Sequence, residues 1–354
     1  DVGSRDGVVC LKRQDIATMI LQSGQSPPLE PRGWTDGGRP AVRIFRWDLD
    51  KTYLLTDFDS IAGLVRSATE PASAKEAVPG APSLLRALSS TDDCLIYFVS
   101  GSPTQMREVL EEKLRIDGIR FERLTLKDNL SNLRRGRMRA IRGQFGYKLP
   151  QLLRDRVGVA RGTRETLFGD DAEVDAIVYC AYADAVSGRL EPVELAKVMR
   201  VAGAYPDDVD AALEALSKIP NSPLAERVFI RLERRRPASD FAPLGSRVFP
   251  VHSWWQAAVV LVADGDLPPE EAVAVAHDVF GEQDGAAWRV AADTQDVVRR
   301  GGATAEHVAS IPLPVGWKES TMRAVGHLGG RSWRQRRGPS DAVPDYAAII
   351  SSWH

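Results

Sequence analysis

The sequence predicts an α/β fold in which a parallel β-sheet carries helices on both faces and a mainly helical part follows. Three observations lead to this prediction. The apolar run CLIYFV at Cys94–Val99 is typical of a strand that is buried on both faces. Strand and helix patterns alternate from Arg43–Trp47 onward, which favours parallel pairing. After about Ser187, the apolar residues recur mostly with helical spacing.

The elements of the first half are predicted in chain order. Arg43–Trp47 is the first strand, and the turn signal Pro79–Gly80 precedes a helix at Ser83–Ser89. After the second strand, Ser102 is expected to cap a helix that begins at Pro103 and runs to about Leu114. The remaining expectations are a strand at Ile119–Leu124, a helix at Leu149–Arg156 and a strand at Glu165–Phe168.

The second half is predicted to be a helical domain with a basic, turn-rich tail. Its expected helices are Leu190–Ala202, Asp207–Ile219, Ala225–Arg235, Trp254–Ala263, Pro269–Phe280 and Ala286–Arg299. The sequence thus divides into an N-terminal segment (1–40), with a short helical pattern near residues 15–21, an α/β domain (41–187) and the helical domain (188–354). The paired tryptophans at 254 and 255 favour core packing, with membrane contact as the alternative.

Composition limits the classes of protein to consider. A length of 354 residues suits two ordinary domains, and 44% hydrophobic and 27% charged residues are typical of a globular protein. No apolar run approaches the roughly 20 residues of a transmembrane helix, and the first ten residues lack a signal-peptide pattern. A net charge of −2 makes nucleic-acid binding an unfavoured function. Three cysteines, an odd number, favour reduced thiols and a cytoplasmic location.

The stretch VRIFRWDLDKT places two carboxylates, Asp48 and Asp50, directly after a predicted strand. In an open parallel sheet, ligands bind beyond the carboxyl ends of the strands. Because Leu49 points to the opposite side, both carboxylates can face the same opening. They predict a divalent-cation site where one carboxylate attacks a phosphate and the other is a general acid. The alternative is a solvated, aspartate-rich turn, because so short a motif also arises by chance.

Three later stretches place polar side chains at comparable positions. Ser100 ends a buried strand, Lys148 precedes a predicted helix, and Asp170, Asp171 and Asp175 follow the last predicted strand of the α/β domain. A hydroxyl beside a helix start suits a phosphate oxygen, an ammonium neutralises carboxylate and phosphate, and clustered carboxylates suit Mg²⁺. The structural alternatives are a strand-ending serine, an exposed lysine and an acidic helix N-terminus.

The order of these motifs resembles the haloacid dehalogenase (HAD) superfamily of phosphohydrolases. The segment from about Arg43 to Val186 resembles the catalytic domain of the actin-patch-associated phosphatidate phosphatases. The motifs that carry the resemblance are WDLDKT, AVPGAPSLLRAL, YFVSGSP, YKLPQLL and FGDDAEVD. Their joint occurrence in this order is far more specific than any one of them. The resemblance implies a HAD-like Rossmannoid sheet.

The resemblance also implies Mg²⁺-dependent hydrolysis of a phosphomonoester through an aspartyl-phosphate. Asp48 would be the nucleophile and a metal ligand. Asp50 would be the general acid and then the base, with its backbone carbonyl on the metal, and Lys148 would lie beside the phosphoryl group. The implied phosphate-binding residues are Thr52, Ser100 and Gly101, and the implied further metal ligands are Asp170 together with Asp171 or Asp175.

Two departures from the family pattern leave the substrate open. Lys51 replaces an acidic or small residue, and V-S-G-S-P replaces V-S-N-S-P. The expected partner is a phosphorylated small molecule or lipid, phosphatidate being one candidate. Two alternatives are a weakly catalytic phosphate- or phospholipid-binding module of the same fold, and a phosphatase that acts on a phosphoprotein or a nucleic-acid end.

Basic residues are dense in NLRRGRMRAIRGQFGYK, at residues 132–148. One interpretation is a surface that attracts an anionic substrate or lipid headgroups and thereby supports a peripheral membrane contact. The alternative is an ordinary solvated face. The polar interval between Thr52 and Ser100 predicts a small mobile flap rather than a large cap domain.

Overall fold

The computed structural model describes residues 43–55, 70–90, 93–127, 145–172, 174–222, 227–234, 236–281, 284–328 and 342–353. Within these ranges, six strands form one sheet whose pairings are all parallel. The strands are β1 (Arg43–Trp47), β2 (Cys94–Pro103), β3 (Arg123–Lys127), β4 (Arg164–Asp170), β5 (Arg227–Arg231) and β6 (Val248–Val251). The predicted fold class, a parallel sheet with helices around it and a helical C-terminal region, is confirmed.

The strand order is β3-β2-β1-β4-β5-β6, so the chain first builds the sheet on one side of β1 and then returns to the other. In register, Trp47 at the end of β1 lies beside Phe98 of β2 and Phe168 of β4. The order therefore reverses between β1 and β4. Ligands of open α/β sheets bind in the crevice at such a reversal point, beyond the carboxyl ends of the strands.

Helices cover both faces of this sheet. In the described ranges they are α1 (Ala81–Leu88), α2 (Arg107–Ile116), α3 (Phe145–Arg156), α4 (Asp175–Val186), α5 (Pro192–Val201), α6 (Pro206–Ser217), α7 (Trp254–Asp264), α8 (Pro269–Phe280), α9 (Ala286–Arg299), α10 (Ala305–Ser310), α11 (Val315–Gly326) and α12 (Tyr346–Trp353). The predicted helices at Pro269–Phe280 and Ala286–Arg299 are confirmed to the residue, and most others within a few residues.

Alternation along the strands produces two apolar layers. Phe45 and Trp47 of β1 pack with α1, α2 and α7–α11 on one face. Leu167 of β4 and Val228 of β5 pack with α3–α6 and α12 on the other face. Successive side chains of a strand point to opposite faces, so a sheet covered on both sides buries nearly every position. This burial explains the continuous apolar run of β2 at Cys94–Val99.

The prediction of a helix at Ala225–Arg235 is wrong, because Arg227–Arg231 forms β5 and pairs in parallel with β4. The short strand β6 was also missed. Val228, Phe229 and Ile230 are all buried, as a central strand requires. A short apolar segment such as Val228–Ile230 is compatible with the periodicity of a helix and with that of a strand. Pairing with β4 selected the strand. These strands extend the sheet with residues that lie after the predicted boundary at 187, while the domain division itself stays a prediction.

Three boundaries differ from the predictions. Strand β2 continues through Ser102 to Pro103, so Ser102 does not cap a helix, and α2 begins at Arg107 after a short 3-10 turn. The strand expected at Ile119–Leu124 is shifted to β3. Helix α3 begins at Phe145, so Lys148 lies inside its first turns rather than before it. A register shift between β2 and β3 near Ser100 accompanies the longer β2.

Other expectations have mixed outcomes. Trp254 and Trp255 are completely buried, which confirms core packing.

Some predictions concern residues that the structure does not describe. They are the helical pattern near residues 15–21, most of the basic stretch 132–148 and much of the basic tail. Among the described residues, no helix combines the length and apolar character that crossing a bilayer requires.

A buried ionic network lies beneath the sheet on the α3–α4 face. Glu165 of β4 accepts hydrogen bonds from Arg46 (Nε–Oε2, 2.8 Å), Arg156 (Nη1–Oε1, 2.9 Å) and Tyr182 (Oη–Oε2, 2.8 Å). Burial acts to raise the pKa of Glu165, but Arg46 and Arg156 hold it below its usual value. The network lets Arg46 of β1 occupy a buried position, because its charge is paired and hydrogen-bonded.

Glu165→Gln is expected to lower the free energy of unfolding at pH 7 by about 3–5 kcal/mol, because it leaves two buried guanidinium groups uncompensated. The folded-state pKa of Glu165 lies below the unfolded value, so its contribution is present above about pH 4.5 and lost as the pH falls further. Urea denaturation at several pH values measures both effects. Glu214→Gln, which removes an exposed ion pair with Lys218, is the matched control and should change stability little. Equal effects of the two variants would contradict the prediction.

Candidate functional site

The loop after β1 is held by its own backbone and by its neighbours. The N–H of Asp48 donates to the carbonyl of Phe168 on β4 (2.9 Å), which continues the sheet by one bond. The N–H groups of Tyr53 and Leu54 both donate to the carbonyl of Leu49, closing a tight turn. Leu49 is completely buried in the apolar layer, so the loop is anchored from below. The two aspartates on either side of Leu49 are therefore directed away from that layer.

Lys51 adopts a left-handed backbone conformation with φ of 61°. This region is unfavourable for a residue that carries a side chain, by about 1–2 kcal/mol. The N–H of Lys51 donates to the carbonyl of Leu54 (2.8 Å), which helps to maintain the turn. Backbone strain of this kind is found disproportionately at functional sites, where surrounding contacts hold it in place.

Asp48, Lys148 and Asp175 form a buried ionic cluster. The Lys148 ammonium lies 2.8 Å from Asp48 Oδ1 and 2.6 Å from Asp175 Oδ1. All three side chains are at most 1% exposed. The three residues come from the end of β1, from α3 and from the start of α4. The structure thus brings together residues that are up to 127 positions apart in sequence.

Asp170 joins this cluster from the end of β4. Carboxylate oxygens of Asp48, Asp170 and Asp175 all lie within 4.8 Å of one another. Carboxylates at this spacing repel, and the Lys148 ammonium offsets part of that repulsion. Carboxylate oxygens are the ligands that hard divalent cations prefer, and a cation among them would offset their repulsion. The residues therefore fit a divalent cation.

Asp50 has a different environment from Asp48. Its Oδ2 accepts hydrogen bonds from the hydroxyls of Ser100 and Ser102, both at 2.9 Å. The Ser100 hydroxyl also accepts the N–H of Ser102 (2.9 Å). The sequence prediction included Ser100 and missed Ser102. The signal was present, because two serines spaced by two on a strand share one face.

Of the other predicted residues, Thr52 and Gly101 lie beside these groups and Asp171 lies apart from them. Thr52 donates its hydroxyl to Asp170 Oδ2 (3.2 Å) and so links the β1 loop to the end of β4. Gly101 lies in β2 between the two serines that contact Asp50. Asp171 is not brought into the cluster: its carboxylate accepts the N–H groups of Arg234 (2.6 Å) and Arg236 (3.1 Å).

An aromatic stack supports the strand ends below the carboxylates. Trp47 and Phe168, which end β1 and nearly end β4, stack with ring centroids 4.1 Å apart and planes 9° apart. Trp254 of α7 packs against both rings, at 5.0 and 5.8 Å. Phe229 of β5 stacks on Phe168 at 5.2 Å. These rigid contacts fix the strand ends from which Asp48 and Asp170 extend.

Several residues near the site were missed by sequence reasoning. Lys127 is buried at the end of β3 and lies over the ring of Tyr147, 5.3 Å from its centroid. Lys75 is 5% exposed; burial lowers its pKa, and the charges of Glu70 and Asp50 act in the opposite direction. Isolated lysines in polar stretches carry no pattern that predicts burial, so these two could not be identified from the sequence.

The arrangement separates two carboxylates by environment. Asp48 contacts an ammonium and lies beside two other carboxylates, whereas Asp50 accepts hydrogen bonds from two hydroxyls and also interacts electrostatically with Lys75. A carboxylate can act as a nucleophile or transfer a proton, so two carboxylates at one opening can divide these roles. This combination at one sheet edge suits transfer of a phosphoryl group.

Residues 47–195 match the family model described as "Phosphatidate phosphatase APP1, catalytic domain", which is a HAD-like family. The match covers less than half of the chain. It includes every predicted site residue and ends before β5. No curated protein and no solved structure matched the chain at the required significance. The resemblance seen in the motifs is confirmed for this segment.

Gly169→Ala is expected to displace Asp175. A Cβ at position 169 would lie 2.5 Å from Asp175 Oδ2, 2.7 Å from its Cβ and 2.9 Å from Tyr179. Because the cluster is buried, that overlap should shift Asp175 away from Lys148 and lower phosphatase activity by about 10- to 100-fold. Activity and thermal denaturation of the purified variant measure this.

Gly316→Ala on α11 is the matched control, since a Cβ there meets nothing within 4 Å. It should leave activity unchanged and retain or slightly raise stability, as alanine favours helix. Full activity of Gly169→Ala would show that the position of Asp175 does not matter.

Proposed function

We propose that this protein is a metal-dependent phosphatase that hydrolyses a phosphomonoester through an aspartyl-phosphate on Asp48. The observation that carries the proposal is the contact of Lys148 with both Asp48 and Asp175 inside a buried carboxylate cluster. The match of residues 47–195 to a phosphatase catalytic domain supports the same reaction class. A structural ion pair alone would not require two further carboxylates beside it.

The first step is attack of a carboxylate oxygen of Asp48 on phosphorus. A bond forms between that oxygen and phosphorus while the ester P–O bond breaks. The Lys148 ammonium, 2.8 Å from Asp48, favours the ionised nucleophile and offsets charge on the phosphoryl oxygens. Positioning and charge neutralisation supply most of the rate enhancement in such reactions.

Asp50 is the proton-transfer group in this mechanism. In protonated form it gives its proton to the departing ester oxygen, and it then accepts a proton from the water that attacks the aspartyl-phosphate. In the second step a bond forms between the water oxygen and phosphorus while the bond between phosphorus and Asp48 breaks. Inorganic phosphate is released, Asp48 is again a carboxylate and Asp50 is again protonated. The hydroxyls of Ser100 and Ser102 hold the Asp50 carboxyl in place.

Asp48, Asp170 and Asp175 are the residues that would hold Mg²⁺. When bound, the cation would neutralise charge on the phosphoryl group and orient it toward the nucleophile. We assign Asp175 rather than Asp171 to the metal, because the Asp171 carboxylate is engaged by backbone N–H groups. The roles of Thr52, Ser100 and Gly101 in phosphate binding remain part of this proposal.

A phosphorylated lipid, with phosphatidate as the first candidate, is the proposed substrate. The match to a phosphatidate phosphatase catalytic domain supports it. The enzyme would meet such a substrate at a membrane surface, through a peripheral contact. A screen that compares phosphatidate in mixed micelles with soluble phosphomonoesters, a phosphopeptide and a 5′-phosphorylated oligonucleotide separates this candidate from the alternatives.

Asp48→Asn should abolish phosphate release from p-nitrophenyl phosphate with Mg²⁺, by at least about 10³-fold in kcat, because an amide cannot form the aspartyl-phosphate. Asp210→Asn, on the exposed side of α6, is the control and should keep full activity. Stoichiometric phosphate binding without turnover in the wild type would indicate the binding module instead. Turnover that survives in Asp48→Asn would remove Asp48 from the mechanism.

Mg²⁺ should raise the Tm of the wild type, because a ligand that binds the folded state adds RT ln(1 + [L]/Kd) to its stability. In Asp170→Asn the shift should be smaller at every Mg²⁺ concentration, since one carboxylate ligand is removed. Differential scanning calorimetry with and without a chelator measures this independently of activity. An identical shift in both proteins would place the cation elsewhere.

A further inference from the structure

Two side chains from the second half of the chain hold the backbone of the β1 loop. Arg231, the last residue of β5, donates from Nη1 to the carbonyl of Lys51 at 2.7 Å. Trp254, the first residue of α7, donates from Nε1 to the carbonyl of Thr52 at 3.0 Å. Both donors lie after residue 195, where the match to the phosphatase domain ends.

The end of β5 also holds the loop after β4. The carbonyl of Arg231 accepts the N–H of Asp171 (3.0 Å). The N–H groups of Arg234 and Arg236 donate to the two carboxylate oxygens of Asp171, at 2.6 and 3.1 Å. The end of β5 and the segment after it thus contact both loops that carry the candidate nucleophile and metal residues. The Arg231 side chain holds the β1 loop, and backbone groups hold the loop after β4.

The β1 loop needs such support because of its conformation. Lys51 is held at φ 61°, and its peptide groups connect directly to Asp50 on one side and Thr52 on the other. A strained backbone conformation persists when several surrounding contacts hold it in place. The guanidinium that holds the Lys51 carbonyl is itself oriented by Glu233, 2.6 Å away. Trp254 is completely buried and packs on Trp47, so its indole N–H is fixed.

We propose that Arg231 and Trp254 are positioning residues for the catalytic loop, and that the second half of the chain therefore completes the active site. This inference rests on the proposed phosphatase function. Neither side chain touches the reacting atoms in the mechanism above. Each acts through a backbone carbonyl within two residues of Asp50 and thereby orients the two aspartates relative to Lys148.

The expected kinetic signature follows from that role. Misplacing a catalytic group by about 1 Å lowers the rate by up to about 100-fold. Arg231→Met and Trp254→Phe should each lower kcat by about 10- to 100-fold while KM changes less than about threefold. Arg231→Lys should recover part of kcat, because an ammonium can still donate to the Lys51 carbonyl.

The chain provides a matched control for each variant. Arg300 donates from Nη1 to the carbonyl of Pro250 at 2.7 Å, and its side chain is 17% exposed against 16% for Arg231. Trp255 is also completely buried and donates from Nε1 to Thr294 Oγ1 at 2.9 Å. Arg300→Met and Trp255→Phe remove the same kinds of bond without touching the β1 loop.

The experiment measures kcat and KM for p-nitrophenyl phosphate with saturating Mg²⁺, together with Tm, for the wild type and all five variants. The inference predicts that each test variant loses much more kcat than its control at a similar loss of Tm. Equal kcat within each pair, or a loss that tracks Tm, would overturn it while leaving the phosphatase function intact. A wild type without any turnover would overturn the proposed function, and the inference with it.

Discussion

The site depends on one buried contact, in which the Lys148 ammonium lies between the carboxylates of Asp48 and Asp175. The three groups come from separate elements, and none would be stable at this depth without its charge partners. The parallel sheet makes the contact possible, because β1 and β4 are neighbours at the point where the strand order reverses. Gly169 is required there because the Asp175 side chain packs directly over its Cα.

The two aspartates of the β1 loop illustrate how position separates chemical roles. They are only two residues apart, yet Asp48 faces a lysine and other acids, whereas Asp50 faces the hydroxyls of Ser100 and Ser102. Two carboxylates with different contacts at one opening can take different roles, one as a nucleophile and the other in proton transfer. The left-handed conformation of Lys51 belongs to the turn that separates them.

The second half of the chain is closely integrated with this site. Its two strands extend the same sheet, and its aromatic and cationic side chains reach the loops at the sheet edge. The stack of Trp47, Phe168, Trp254 and Phe229 crosses from one half to the other. A core shared in this way transmits small displacements, because protein interiors are close-packed. The boundary of a sequence family and the boundary of a functional unit therefore need not coincide.

The sequence by itself determined four of the six strands described in the sheet, most helices and most of the residues that lie together at the sheet edge, because apolar runs and short motifs can be recognised locally. Only the tertiary structure decided that Arg227–Arg231 is a strand. Its apolar residues are compatible with a helix or a strand, and pairing with the open edge of β4 selected the strand. Only the tertiary structure separated Asp175 from Asp171, because both are acids after the same strand. The Lys148 ammonium holds the first, and the N–H groups of Arg234 and Arg236 hold the second. Such partners lie far away in sequence, where no local pattern can identify them.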